Sequence, residues 1–473
     1  MSDLCFLSIA EASDLIRRRQ LSPLELTEAH LARIDTLDAS LGSYITVTRE
    51  QALSQARAAT ERMTGDGPRG SLFGIPLNLK DNIATAGVRT TAASRVLQDW
   101  VPDRNASIVT RLLDAGAIML GKVALSEFTF AGGSTPNDFI KPPRNPWNLK
   151  YSAGGSSTGS AVSVAAGLAM GSVGSDSGGS IRIPAALCGL SGLNPTYGRI
   201  GKSGVIPLSY SMGAIGPLTR SVHDAALMLE VMAGHDPGDR SSSRRPVPPY
   251  SEAVNRPVKG LRIGTCPAYV EAVGVQADIQ DAIADAIGVL RTLGTTSVEV
   301  QVPHLTYACA AGYNTIMRAE AFHHHFKRMR DHRTEYGAAF RNIARGGFLT
   351  AHDYLRGQQA RTLITEEVRQ AFEQMDVLVL PVIPATGDGG PYVTEGTDVK
   401  VRKGAFSHGP AYTAPFNLTG SPTLALPCGF TAGGMPISMQ LVARPFEEET
   451  LISVGHQYQL QTDWHRRRPT ATP

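Results

Sequence analysis

Charge is scarce in this chain of 473 residues: charged side chains make up 18 %, and 45 basic against 42 acidic residues leave a formal +3. A balance so close to neutral excludes a nucleic-acid or polyanion binder that works through a basic face. The short runs Arg17 to Arg19 and Arg466 to Arg468 read as solvated surface. Cysteine is equally sparse. Cys5, Cys188, Cys266, Cys309 and Cys428 are scattered, odd in number and never spaced C-x-x-C, which excludes a disulfide framework and a cysteine-based zinc cage. The start, Met1 to Phe6, has neither a basic opening nor a long apolar core, so a secretory signal is not expected and a cytoplasmic protein is. No repeat of solenoid period is present.

Also missing is a hydrophobic run of membrane type. Tyr151 to Ser175 carries no charge and is long enough to span a bilayer, but thirteen of its 25 residues are Gly or Ser. That composition is too polar for lipid and suits a close-packed element inside protein. With 42 % hydrophobic residues the chain can bury a large core.

Local signals alternate helix and strand. Ser8 with Glu11 and Ser22-Pro23 with Glu25 are helix starts, and a third helix is expected over about 48–63. Phe73 to Lys80 changes to a short apolar strand ending at Lys80. Ser107 to Ala115 reads as a helix stopped by Gly116, and Ile118 to Leu120 as a buried strand. A polar, turn-rich loop covers about 236–249. Beyond it, Leu261 to Gly264, a helix near 277–293 and Val298 to Val300 repeat the theme. Helices are expected over 306–330 and 361–375, then an apolar strand, Val377 to Leu380. The expectation is one α/β unit.

The chemistry concentrates in two runs: Gly154-Gly155-Ser156-Ser157-Thr158-Gly159-Ser160 and Asp176-Ser177-Gly178-Gly179-Ser180-Ile181-Arg182. Paired glycines before a serine let backbone approach a bound group and leave amide N–H groups free to hold an oxyanion. A serine hydroxyl needs a base to become a nucleophile. Histidine lies near neither run, whereas Lys80 ends an apolar strand where burial can lower its pKa.

Lys80-Asp81-Asn82, the two serine runs, Pro195 to Arg199, Gly216 to Ser221, Asn417 to Pro422, Gly434 to Pro436 and Gln440 resemble the blocks of the amidase signature family. The resemblance covers nearly the whole chain and is weakest between about 236 and 400. It implies one large domain, a mixed central sheet with helices on both sides. Within it, N-terminal helices occupy about 1–65, the signature core about 70–235, a variable substrate-determining region about 236–400 and a C-terminal core block 401–473. It further implies a Ser-cisSer-Lys triad of Ser180 as nucleophile, Ser156 as bridge and Lys80 as base, with an oxyanion hole of backbone N–H groups from Ser177, Gly178, Gly179 and Ser180. Phe128, Phe130, Ala131 and Gly132 fall where the family's pocket wall runs, with core packing the equal alternative. No metal or cofactor is implied, no nucleic acid and no membrane; the expected partner is a small amide or carbamate substrate, and the chain is expected to be a monomer or homodimer. Ser177 stands where the family often has Thr, Thr158 where Gly is common, and Asn194 where Lys is frequent.

Three rival readings stand beside this one. The resemblance extends to the glutamine-hydrolysing subunit of tRNA-dependent amidotransferases; there, small polar residues usually follow the Ala319-Glu320-Ala321 position, whereas here Phe322 and His323-His324-His325 follow. Gly155 to Gly159 also fits the G-x-S-x-G elbow, with Ser157 as nucleophile, but no apolar strand precedes it. A non-catalytic binding protein is disfavoured because all three triad positions are filled. The three histidines diverge by about 100° each on a helix and cannot face one ion, so they read as solvated surface, with one of them lining the cleft as the alternative.

Overall fold

Eleven strands form one sheet, and most lie where short apolar runs meet glycine. In chain order they are β1 (Tyr44–Val47), β2 (Pro76–Lys80), β3 (Ile118–Val123), β4 (Gly171–Asp176), β5 (Ser191–Asn194), β6 (Ala214–Thr219), β7 (Arg262–Thr265), β8 (Thr296–Glu299) and β9 (Val377–Pro381), followed after a small separate hairpin, β10 (Tyr392–Glu395) and β11 (Asp398–Val401), by β12 (Thr423–Phe430) and β13 (Pro436–Val442). The computed structural model describes residues 4–63, 70–130, 139–387 and 410–469, and the backbone of the hairpin. Across the sheet the order is β1-β3-β2-β4-β6-β5-β12-β13-β9-β7-β8. β2 runs parallel to β3 and β4, and β7 to β8 and β9; the other neighbours are antiparallel. The expected mixed sheet with flanking helices in one domain is what the chain forms.

The N-terminal helices start where their side chains can satisfy orphan amides. Ser8 and Glu11, and Ser22 and Glu25, form reciprocal capping boxes at Ile9–Arg17 and Pro23–Leu41, each worth about 1 kcal/mol. The Gly/Ser-rich stretch becomes the helix Thr158–Ala165, buried along its whole length, and then β4. A Cβ on Gly159 would meet Ala124 N at 2.4 Å and Ser43 O at 2.5 Å, so small residues let this helix lie directly on backbone. Among the described residues no helix is long and apolar enough to cross a membrane.

Two expectations in the 236–400 region change. The predicted 306–330 helix divides into a 3-10 turn, a π-helix over Cys309–Met317 and an α-helix over Arg318–Asp331. The helix predicted over 361–375 begins ten residues earlier, at Ala351, capped by a Thr350–Asp353 box. Gly357 hides that earlier start, since glycine weakens a helical pattern; here a Cβ would sit 3.2 Å from Ile316 Cγ1 and Thr315 Cγ2.

Candidate active site

β2 and β4 are parallel neighbours and end side by side, delivering Lys80 from one and Asp176 from the other. Lys80 is fully buried. Its Nζ lies 2.7 Å from Ser156 Oγ, 2.9 Å from Ser157 Oγ, 2.9 Å from Ser175 Oγ and 3.3 Å from the Ser175 carbonyl. Every partner is neutral, and hydroxyls can both donate and accept, which suits an uncharged amine. Burial pushes the Lys80 ammonium well below the ordinary lysine range, and the charge of Asp176 offsets this only in part.

Lys122 supplies the contrast. It too is buried, yet its Nζ sits 3.2 Å from Asp81 Oδ1 and donates to Ile83 O and Thr90 Oγ1, both at 2.7 Å. One buried lysine is thus ion-paired, and the other is ringed by serines.

The peptide bond between Gly155 and Ser156 is cis. The Ser157 N–H donates to the Ser180 carbonyl at 3.1 Å, tying the two serine runs together. Ser156 is buried, while Ser180 is half-buried. The structure therefore brings Lys80 and Ser156 into direct contact and anchors the Ser180 backbone beside them.

Asp176 organises the loop that follows it. Its Oδ1 accepts N–H bonds from Gly178 at 3.1 Å and Gly179 at 2.6 Å, and its Oδ2 accepts from Ile181 at 3.0 Å. The Arg182 Nε completes a buried ion pair with it at 3.1 Å. Burial raises the Asp176 pKa, but Arg182 and the loop amides outweigh it and hold the carboxyl well below its usual range. Arg182 is in turn gripped by Gln440 Oε1 at 2.7 Å, the Thr413 carbonyl at 2.9 Å and Asn417 Oδ1. Of the four expected oxyanion amides, those of Gly178 and Gly179 are therefore engaged by Asp176. Among the described residues the Ser177 and Ser180 N–H groups have no protein acceptor. Gly179 has φ +126°, and a Cβ there would lie 2.2 Å from Thr413 Oγ1, so the loop requires glycine.

A cavity of about 360 Å³ adjoins the lysine cluster, with Asn82, Ser175, Ser177, Ile206, Tyr210 and His324 in its wall. Of the expected wall residues, Phe128 is wholly buried among His325, Tyr336 and Phe340, with ring centroids 4.4, 5.5 and 5.2 Å away; it is in the core, the packing alternative. Phe130 lies at the edge of that cluster, stacked on Tyr313 at 6.5 Å. Ala131 and Gly132 lie outside the described residues. The histidines do not form a solvated face: His323 is exposed, His324 lines the cavity and His325 is fully buried. Burial lowers His324 to a pKa of about 4. Ser157, the rival nucleophile, is fully buried at a helix start, its hydroxyl taken up by Lys80 and the Ser175 carbonyl at 3.1 Å. Sequence reasoning missed Ser175 and the organising role of Asp176; the available signal was that both directly precede the Ser177-Gly178-Gly179-Ser180 run.

Matches to known proteins agree with this fold. The family model described as Amidase matches residues 25–452. The chain belongs to the amidase signature family. A glutamyl-tRNA(Gln) amidotransferase subunit from Roseiflexus sp. (strain RS-1) is 41 % identical, over 98 % of this chain and 98 % of that protein. Among solved structures, a bacterial aryl acylamidase of the amidase signature family superposes with a TM-score of 0.87 at 26 % identity, covering 98 % of each chain. A crystal structure described as an amidase gives 0.84 at 30 % identity, over 96 % of this chain and 100 % of its own. The family model and these superpositions cover nearly all of the chain.

Proposed function

We propose that this amidase cleaves the C–N bond of carboxamides through an acyl-enzyme on Ser180. The observation that carries the reading is Lys80, buried among hydroxyls and, among the described residues, with no carboxylate in hydrogen-bond contact. Neutral Lys80 takes the Ser156 proton while Ser156 takes that of Ser180, and the Ser180 oxygen bonds to the carbonyl carbon. The unengaged N–H groups of Ser177 and Ser180 stabilise the oxyanion, each such donor being worth about 3 kcal/mol of barrier, while Gly178 and Gly179 are held in register by Asp176. The proton returns through Ser156 to the leaving nitrogen as the C–N bond breaks. Water then adds to the acyl carbon, losing a proton to the same relay, and Ser180 leaves with that proton as the carboxylic acid forms. Carbamates fit the same acyl chemistry.

Two settings use this chemistry. The 41 % identity to an amidotransferase subunit favours glutamine as the amide and a partner as the destination of its nitrogen. The likeness to an aryl acylamidase at 26 % identity supports a self-sufficient amidase, and the lower identity gives that setting the smaller weight. A screen of the purified chain against glutamine, aliphatic amides, aryl amides and carbamates separates them. Release of ammonia from glutamine alone, or co-purification with a partner protein, selects the first. Fluorophosphonate labelling that persists in Ser180→Ala would overturn the nucleophile in either setting.

A further inference from the structure

The wall beside the nucleophile loop carries a cation that, among the described residues, has no counter-charge. A Cβ on Gly178 would meet Tyr313 Cδ2 at 2.9 Å, so the Tyr313 ring covers the loop leading to Ser180. Tyr313 stacks on Phe130 at 6.5 Å, and the Arg318 guanidinium lies over the same Phe130 ring at 5.4 Å. Tyr313 belongs to the π-helix Cys309–Met317, and Arg318 directly follows it. The i to i+5 hydrogen bonding of that helix sets the two residues about one turn apart on one face. π-helical turns are frequent at functional sites, and here the turn aligns a ring and a cation along one wall.

Arg318 is half-buried and carries five N–H donors. Nη1 donates to the Asn342 carbonyl at 3.2 Å, and among the described residues no carboxylate pairs with the guanidinium. The acids nearby in sequence and in the wall are committed elsewhere. Glu320 accepts from Ser209, Ser211 and Tyr354, and Glu127 from Ser94 and the Gly337 N–H. A planar fork seated on an aromatic face and lacking an acid is the arrangement that binds carboxylates in two-pronged fashion.

We propose that Arg318 is a specificity-determining residue that binds a free carboxylate at the far end of the substrate's acyl group, so that preferred substrates are half-amides of dicarboxylic acids. The assignment rests on the reading of Ser180 as the acyl acceptor. The aliphatic part of such an acyl group lies along Tyr313 and Phe130, and its carboxylate meets the guanidinium.

The test compares 4-carbamoylbutanoate with its uncharged counterpart pentanamide, using the wild type, Arg318→Gln and Arg318→Lys. Arg318→Gln raises KM for the carboxylated amide about 30-fold, the size expected for lost charge-assisted hydrogen bonds, with kcat held within about twofold. It leaves kcat/KM for pentanamide within about twofold, and Arg318→Lys recovers part of the KM. An equal loss on both amides, or no change on either, overturns the proposal. So does a wild type that cleaves pentanamide as well as the carboxylated amide, which leaves the Ser180 reading intact. If the wild type cleaves neither amide, loss of fluorophosphonate labelling in Ser180→Ala decides the nucleophile, and calorimetric binding of glutarate decides Arg318 alone. A tenfold or greater weakening in Arg318→Gln supports the assignment, and unchanged binding overturns it.

Discussion

Replacing Asp176 by Asn should cost both stability and turnover, through separable causes. The substitution keeps the shape and removes the charge that neutralises Arg182, an ion pair with both side chains at 0 % exposure. Arg182 keeps Gln440 Oε1 and the Thr413 carbonyl but becomes a buried cation without a counter-ion, a situation that costs about 3–5 kcal/mol. At about 2.1 cal/mol/K per residue, a chain of this size unfolds with an entropy of roughly 1 kcal/mol/K, so the melting temperature should fall by about 3–5 °C. The loop suffers separately. An amide in place of the carboxylate weakens the acceptor for the Gly178 and Gly179 N–H groups and loosens the neighbouring Ser177 and Ser180 amides, which should lower kcat about 100-fold or more. Calorimetry and steady-state kinetics on one preparation read the two effects. A variant with wild-type melting temperature and wild-type kcat would refute the reasoning; a lowered melting temperature with intact kcat would show that the ion pair stabilises the fold without shaping the loop.

Lys80→Ala should abolish turnover, and the pH profile carries a sign. Because burial lowers the Lys80 pKa, the active neutral amine accumulates as pH rises through that lowered value; kcat/KM should climb at acid pH and level off well below pH 10, and a rate still rising tenfold per unit at pH 10 would contradict it. Gly179→Ala forces an L-residue to φ +126° and a methyl to 2.2 Å from Thr413 Oγ1, so activity should fall at least about 100-fold; a crystal structure with the loop unmoved and kinetics unchanged would be the opposite result. Lys122→Met should destabilise by about 3–5 kcal/mol, since it strands Asp81 as a buried charge, whereas the folded fraction should retain fluorophosphonate labelling; equal melting curves would refute the pairing argument.

How far the sequence reached depends on the kind of interaction that fixes each element. Capping boxes and apolar runs act locally, so the helices after Ser8 and Ser22 start where they were expected and the strands at Lys80, Ile118 and Val377 lie within about three residues of their predicted ends. The proximity of Lys80 and Ser156 was legible only through the family resemblance, because the parallel pairing of β2 with β4 joins segments about ninety residues apart. What escaped was set by long-range packing. The π-helix after Ala308 has the composition of an ordinary helix, and nothing in His323-His324-His325 marks the third as buried until Phe128, Tyr336 and Phe340 close around it. The engagement of the Gly178 and Gly179 amides by Asp176 follows from the curl of the loop, which residue identity does not encode.

Thr413, Asn417 and Gln440 grip Arg182 from more than 230 positions further along the chain. A polypeptide emerging from the ribosome thus carries its reactive serine for most of synthesis without the clamp that shapes the loop around it. Competence should arrive only when the last hairpin of the sheet, β12 with β13, adds itself between β5 and β9, so a truncated product would be inert rather than a stray hydrolase.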